Sequence, residues 1–427
     1  MSAILSPAAL LPLRMRALGL HRDAADATAA PGHTAAPGHT AAPDAAPAPG
    51  SATARVAATA RQMLAIQGQD WRSARWALGV RTPGTTVSDV HAAFSAGAIV
   101  RSWPMRGTLH IVAAEDIGWL QGVTSHRVLA GAPKRRATIG LSEAALERLV
   151  GVSLDALRGG TALDRDGLSA VWTEAGIEWQ PGWRYHVIWW LCQNGLTTFG
   201  PVRESGEPLL VRADEWITAP RILTGDEVLA ECAARYTGAR GPVSEHDLAW
   251  WTGLTLREAR RAFDLARQAG RAAPLRLGDA SGPQLWATPA AIAAAAAGVG
   301  SAGGDPDAAA SVAGTAGTPV GPGDTWHLLP AFDEHLLGYT DRAAQLDPAH
   351  FDHVVPGRNG MFMATVVKNG RVLGLWRRGS GAKGAITATP LPGTRLNARA
   401  LTPLVADWSD FHEIGPLAVD LQKRTEP

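Results

Sequence analysis

Two cysteines in 427 residues, Cys192 and Cys232, leave no material for a disulfide framework, and neither belongs to a Cys/His cluster at metal-ligand spacing. No metal and no other cofactor is expected, and a reducing cytoplasm suits the chain. Lysine is scarce as well: Lys134, Lys368, Lys383 and Lys423 stand among 40 basic residues, so nearly every cation is a forked, permanently charged guanidinium. Those 40 cations face 39 acidic residues for a formal charge of +1, which excludes a surface that grips phosphate everywhere and confines nucleic-acid contact to local patches. Long apolar runs are missing. The alanine-rich stretch 291–297 is too short and too weakly apolar to span a bilayer, and the apolar residues 3–13 lack a basic leader and run straight into Arg14 and Arg16. Neither a membrane segment nor a secretory signal is expected. A Gly-rich phosphate loop, a GxSxG elbow and an HExxH helix are also absent, so common nucleotide-hydrolase and metallo-hydrolase chemistries find no support.

At 46% apolar residues the chain can bury more than one core, and two to four compact units are expected. Residues 24–53 hold a tandem Ala-Ala-Pro-Gly-His-Thr repeat and more Ala and Pro, too little apolar surface to offset ordering entropy, and read as a disordered insertion. Residues 293–324, built of Ala, Gly, Ser, Asp and Pro, read as a flexible linker. These stretches divide the chain into an N-terminal helix at 1–23, units at 54–135, 136–220 and 221–292, and a C-terminal domain at 325–427.

The three middle units repeat one theme. In the first, Ser88 and Asp89 can cap a helix that Gly97 ends, and strands at 99–103 and 108–112 flank a tight turn tipped by Arg106 and Gly107. A strand pair with an arginine at its tip, attached to small helices, is the shape of a winged helix, whose wing can lie along a nucleic-acid groove. In the second, Asp166 can cap a helix ending near Gly176, an apolar helix at 183–194 stops at Gly195, and a strand follows at 196–199. The third shows a helix-turn-helix spacing, with Ser244 to Asp247 capping one helix, Gly253 at the turn, and a second helix at 256–268 dense in Arg257, Arg260, Arg261 and Arg267. Beyond the linker the pattern changes to period two: Asn369-Gly370 marks a hairpin, further strands lie at 326–332 and 385–389, and a helix starts near Leu401. The fold class expected is α+β, with a small antiparallel barrel or sheet at the C-terminus.

The residues able to carry chemistry cluster in the first unit. Val56, Ala60, Met63, Leu64 and Gln67 share a helical face, Gly68 favours a break, and in an extended turn residues two apart face one side, so the amides of Gln67 and Gln69 can converge. Equally, Gln67 can be a satisfied buried amide or cap and Gln69 a surface residue. Asp70 is the better base, but it sits where aspartate caps the helix beginning at Trp71. Arg72, Arg75, Arg101 and Arg106 can form a phosphate-facing strip. Thr108 and His110 lie on the outward side of the second strand if Leu109 and Ile111 point inward, where His110 either bonds a phosphate or base edge or is ordinary solvent-facing polarity. The pairs Trp189-Trp190 and Trp250-Trp251 read as packing rather than base-stacking platforms.

Taken together, Gln67-Gly68-Gln69-Asp70, the segments 76–81, 101–110 and 250–254, Leu329-Pro330-Ala331-Phe332-Asp333 and Asn359-Gly360-Met361-Phe362 resemble a bacterial family of winged-helix DNA-binding proteins that includes the AlkZ and YcaQ type DNA glycosylases. The resemblance spans most of the chain outside the two low-complexity stretches. It implies a C-shaped run of tandem winged-helix motifs ending in a β-barrel-like domain. It also implies a catalytic element of Gln, an apolar residue and a second Gln or Asp, which falls on Gln67, Gly68 and Gln69, with glycine departing from the usual bulkier residue. The reaction implied is monofunctional hydrolysis of the bond between the sugar and an N-alkylated purine, including bases crosslinked between strands, with Arg72, Arg75, Arg101, Arg106, Thr108 and His110 toward the DNA. The partner expected is alkylated or crosslinked double-stranded DNA, met by a monomer at the nucleoid. Two other readings stand beside it, a non-catalytic winged-helix regulator and a protein-interaction scaffold.

Overall fold

The computed structural model describes residues 3–21, 47–203, 206–299, 324–379 and 384–422. The expected insertion at 24–53 and linker at 293–324 lie largely outside these residues, and at their described edges the chain is helical from Ala52 and up to Val299.

The chain opens with β1 (Ala3–Leu5) and α1 (Pro7–Ala17). A first run follows: α2 (Ala52–Met63), β2 (Ile66–Gln67), α3 (Trp71–Gly79), α4 (Val87–Ser95), β3 (Ile99–Met105) and β4 (Thr108–Ala113). Helices α5 (Ile117–Leu129) and α6 (Ala132–Ile139) lead to a second run of α7 (Glu143–Ala156), a lone bridge at Leu163, α8 (Arg165–Glu174), α9 (Pro181–Gln193), β5 (Thr197–Val202) and β6 (Pro208–Arg212), closed by α10 (Ala213–Trp216). A third comprises α11 (Asp226–Arg240), a lone bridge at Val243, α12 (Glu245–Thr252), α13 (Leu256–Gln268), β7 (Ala273–Leu277) and β8 (Gln284–Ala287), then α14 (Pro289–Val299). Each run has the order helix, short bridging segment, helix, helix, hairpin. The C-terminal part holds β9 (Trp326–Leu329), α15 (Glu334–Leu337), α16 (Phe351–Val354), β10 (Thr365–Lys368), β11 (Arg371–Arg378), β12 (Ile386–Pro390), α17 (Ala398–Phe411) and β13 (Val419–Leu421). Among the described residues no helix is long and apolar enough to cross a membrane.

The described residues form two compact units, one within 47–232 and 249–255, the other within 3–21, 233–248 and 256–422. In the former, one five-stranded sheet runs β2-β4-β3-β5-β6, so the hairpins of the first two runs share a sheet. The core of its second run gathers Leu149, Trp172, Val187 and Leu191 against Trp103 of β3, all essentially buried. Burying side chains of this size is worth about 1.5–3 kcal/mol each. The indoles keep hydrogen-bond partners: Trp172 donates to Ser153 Oγ at 2.8 Å and Trp183 to the Ile139 carbonyl at 2.8 Å.

In the other unit a three-stranded sheet runs β1-β7-β8, with β1 parallel to β7, and a five-stranded sheet runs β13-β12-β11-β10-β9. The expected barrel is therefore an open sheet, and its antiparallel pattern is interrupted where β12 and β13 run parallel. Helix α17 covers the sheet instead of the sheet closing on itself, with Trp408 edge-on to Trp376 at 6.1 Å between rings. The turn that reverses β10 into β11 is the expected one: Asn369 and Gly370 both have positive φ, 48° and 80°. Helix α13 buries Ala259, Ala262, Phe263 and Ala266 and leaves its arginines outside, as its 3.6-residue period requires.

Candidate active site

The site forms where α2 ends earlier than its apolar face suggests. The helix stops at Met63 because Leu64 turns into the left-handed region at φ 64°, and the chain continues as β2. Gln67 is thus a strand residue rather than a helical one. Ile66 pairs with Ile111 and Gln67 with His110 across the β2/β4 ladder, and the Gly68 amide donates to the Leu109 carbonyl at 2.7 Å. Gly68 is needed for this approach, since a Cβ there would lie 3.1 Å from His110 Cα and 3.2 Å from its carbonyl carbon. Asp70 then caps α3, accepting from the Ser73 amide at 2.7 Å, so its carboxylate is committed to the helix.

Between strand and cap, the two glutamines converge. Gln67 Nε2 donates to Gln69 Oε1 at 2.6 Å, with Gln67 8% exposed and Gln69 on the surface. Gln67 Oε1 is buried without a hydrogen-bond donor among the described residues, an acceptor held at the edge of the sheet. Thr108 Oγ1 is in the same condition.

The hairpin tip is a two-residue turn in which Arg106 and Gly107 both take positive φ, 54° and 67°, the geometry whose twist suits a tight hairpin. His110 departs from the solvent-facing expectation: it is fully buried. Its Nδ1 lies 2.9 Å from the Thr108 carbonyl and therefore carries the proton, which leaves Nε2 to accept from Arg106 Nη2 at 3.5 Å. Arg106 is half-buried and also lies over the Trp250 ring, its Cζ 5.0 Å from the centroid.

The expected strip of arginines is not one surface. Arg72 is exposed. Arg75 is half-buried, donating to His91 Nε2 at 3.0 Å. Burial, and then the Arg75 charge, push the His91 pKa down to about 4, so the ring is the neutral acceptor this bond needs. Arg101 is 6% exposed and points inward: its Nε donates to the Gly68 carbonyl at 2.8 Å, and its guanidinium lies over the rings of Trp71 and Phe199. Burial, followed by repulsion from Arg165, lowers its pKa to about 10. Arg101 braces the loop that carries the glutamines.

Sequence reasoning passed over Trp71, His91, Phe199 and the Gly206 carbonyl, which accepts from Trp71 Nε1 at 2.5 Å. They share this region because β3 pairs with β5, Arg101 opposite Phe199, and no local pattern announces a partner that far along the chain. Trp251 is buried packing as expected, but Trp250 is 37% exposed. Among the described residues no group of three His, Cys, Asp or Glu is arranged to hold a metal ion.

The model of the DNA glycosylase AlkZ-like family matches residues 60–411. No curated protein sequence matches the chain. Among solved structures, the DNA glycosylase AlkZ of Streptomyces sahachiroi is similar with a TM-score of 0.69 at 20% identity, over 99% of this chain and 100% of that one.

Proposed function

The chain belongs to the AlkZ-like DNA glycosylase family, and on that premise we propose that it hydrolyses the N-glycosidic bond of N7-alkylated purines in double-stranded DNA, crosslinked bases included, with Gln67 and Gln69 as its catalytic pair. The observation that carries this reading is the amide pair itself, bonded at 2.6 Å at the sheet edge, with the buried Gln67 carbonyl oxygen left without a donor among the described residues.

Alkylation at N7 gives the purine a positive charge, so the electron pair of the glycosidic bond flows into a leaving group already prepared to take it. The sugar is left as an oxocarbenium ion, water adds to its anomeric carbon, and the proton lost by that water goes to solvent. Such a reaction asks little of a general acid. The Gln67 carbonyl can hold the water, and the two amide dipoles can favour the positive sugar as it develops. A Schiff-base lyase step would need an activated amine, and none of the four lysines lies in the motif, which supports hydrolysis alone.

The repeated order of helix, bridge, two helices and hairpin supports reading the three runs as tandem winged helices, and the Arg106 tip and the exposed Arg72 as groups that meet the DNA backbone. Thr108 and His110 sit behind that tip. A monomer acting in the cytoplasm, where DNA is accessible, is the simplest assembly consistent with this reading.

The test is release of free base from duplex DNA carrying N7-methylguanine. Gln67→Ala and Gln69→Ala are each expected to slow release by roughly 100-fold, the scale for loss of one preorganised dipole, with thermal unfolding little changed. Tight DNA binding without base release by the intact protein would turn the reading toward a DNA-binding regulator.

A further inference from the structure

The Trp250-Trp251 pair divides into two roles. Trp251 is fully buried, whereas Trp250 keeps 37% of its surface in water, a large exposure for a tryptophan at the end of a short helix. The loop behind it is pinned to α5: Thr124 Oγ1 donates to the Thr252 carbonyl at 3.3 Å, Arg127 Nη1 to the Gly253 carbonyl at 3.4 Å, and Gly253 turns at φ 83°. An exposed indole held this firmly is a platform. It is also tied to the amide pair by adjacent contacts, since Gln67 pairs with His110, His110 Nε2 meets Arg106 Nη2, and Arg106 Cζ lies 5.0 Å from the Trp250 centroid.

What lies over the indole now is a flat, delocalised cation. A guanidinium on an aromatic face draws on the ring quadrupole and on stacking together. An N7-alkylated purine has the same two properties, planarity and a delocalised positive charge, whereas an unmodified purine has only the first. We propose that Trp250 is the residue that selects the lesion: the cationic base takes the place of the Arg106 guanidinium over the indole, and Arg106, released, moves to a backbone phosphate. This inference rests on the glycosylase reading of the neighbouring amides.

The charge logic fixes where the effect appears. As the glycosidic bond breaks, the base loses its positive charge to the sugar, so its attraction to the indole is greatest before reaction. Trp250 therefore strengthens binding of the lesion and contributes little to the chemical step. Arg106, as a phosphate contact, adds affinity for any duplex.

The experiment uses the full chain and two duplexes, one with N7-methylguanine on a 2′-fluorinated sugar that resists cleavage, the other with guanine at that position. Trp250→Leu is expected to lower the preference for the lesion duplex by roughly tenfold, the scale of one lost base stack, while Trp250→Phe keeps most of it. Arg106→Ala is expected to weaken both duplexes and keep the preference. With the cleavable substrate, Trp250→Leu should raise the enzyme concentration at half-maximal single-turnover rate and leave the saturating rate within about twofold. In protein containing 5-fluorotryptophan, the fluorine resonance missing from Trp250→Phe should take a different position with the lesion duplex than with the guanine duplex. The proposal is overturned if Trp250→Leu weakens both duplexes equally or neither, or if its saturating rate falls while the preference is kept. Failure of the intact protein to release N7-methylguanine at all would instead overturn the glycosylase reading, and the binding preference would still decide the role of Trp250.

Discussion

Arg101 and Arg240 are both arginines removed from water, and the protein accommodates them in opposite ways. Arg240 is fully buried against Glu334, 1% exposed, with Nη2 and Nε both on one carboxylate oxygen at 2.8 and 3.1 Å. Tyr236 donates to the Gly338 carbonyl beside the pair, and Tyr339 to the carbonyl of Arg240 itself at 2.7 Å. Arg101 has main-chain carbonyls and aromatic faces around it, and among the described residues no carboxylate pairs with it. Charge is cancelled where the role is structural. It is left uncancelled beneath the glutamines, the part of the molecule proposed to face DNA, where a buried carboxylate would repel phosphate.

The sharpest way to break that contrast is Glu334→Ala. It strands a buried guanidinium and should cost about 3–5 kcal/mol, read as a large drop in melting temperature. Arg101→Met removes a brace without stranding a counter-charge. It should cost less, about 2 kcal/mol for the lost bond to the Gly68 carbonyl, while slowing base release through the displaced glutamines. If the two substitutions destabilise equally, the distinction between cancelled and uncancelled charge fails. Gly68→Ala sharpens the comparison from the backbone side. The added methyl must push β2 off His110 by a few tenths of an ångström, for about 1–2 kcal/mol, and base release should fall further than stability does.

A separate effect is in pH. His91 and His186 both have pKa values near 4 in the folded protein, from burial first and then from Arg75 and Arg136 respectively. The unfolded chain takes up protons on both from about pH 6.5 downward, where the folded chain refuses them until about pH 4. Stability should therefore decline as pH falls through that window and hold steady above it. Melting curves of His91→Gln across the same range should show a shallower decline, since one of the two rings that burial keeps neutral is gone.

Much of this was readable from the sequence where the signal is local. Asn369-Gly370 fixed its hairpin, Asp70 is a cap, Arg106-Gly107 turns the first hairpin, and α13 begins and ends at 256 and 268 as its period demands. The two glutamines do converge, but not through a helix break at Gly68: α2 already ends at Met63, where Leu64 turns to positive φ, and Gln67 is on a strand. What could not be read depends on partners distant in sequence. Gln67 sits on a strand because β4 offers it a ladder, and Arg101 turns inward because Phe199 and Trp71 provide faces for it. His110 is buried by elements that no alternation pattern names. The terminal sheet stays open because Trp408 on α17 covers Trp376, a fact of packing and not of strand periodicity.

The parallel pairing of β1 with β7 sets the first residues beside a strand synthesised much later, Ala3 opposite Leu275 and Leu5 opposite Leu277. Arg14 in α1 likewise donates to the carbonyl of Pro242 and to Gln345 Oε1. On the ribosome the leading segment must stay undocked until most of the chain has emerged. Its docking partners in β7 and at Gln345 are far along the chain, so its contacts are among the longest in sequence of its unit.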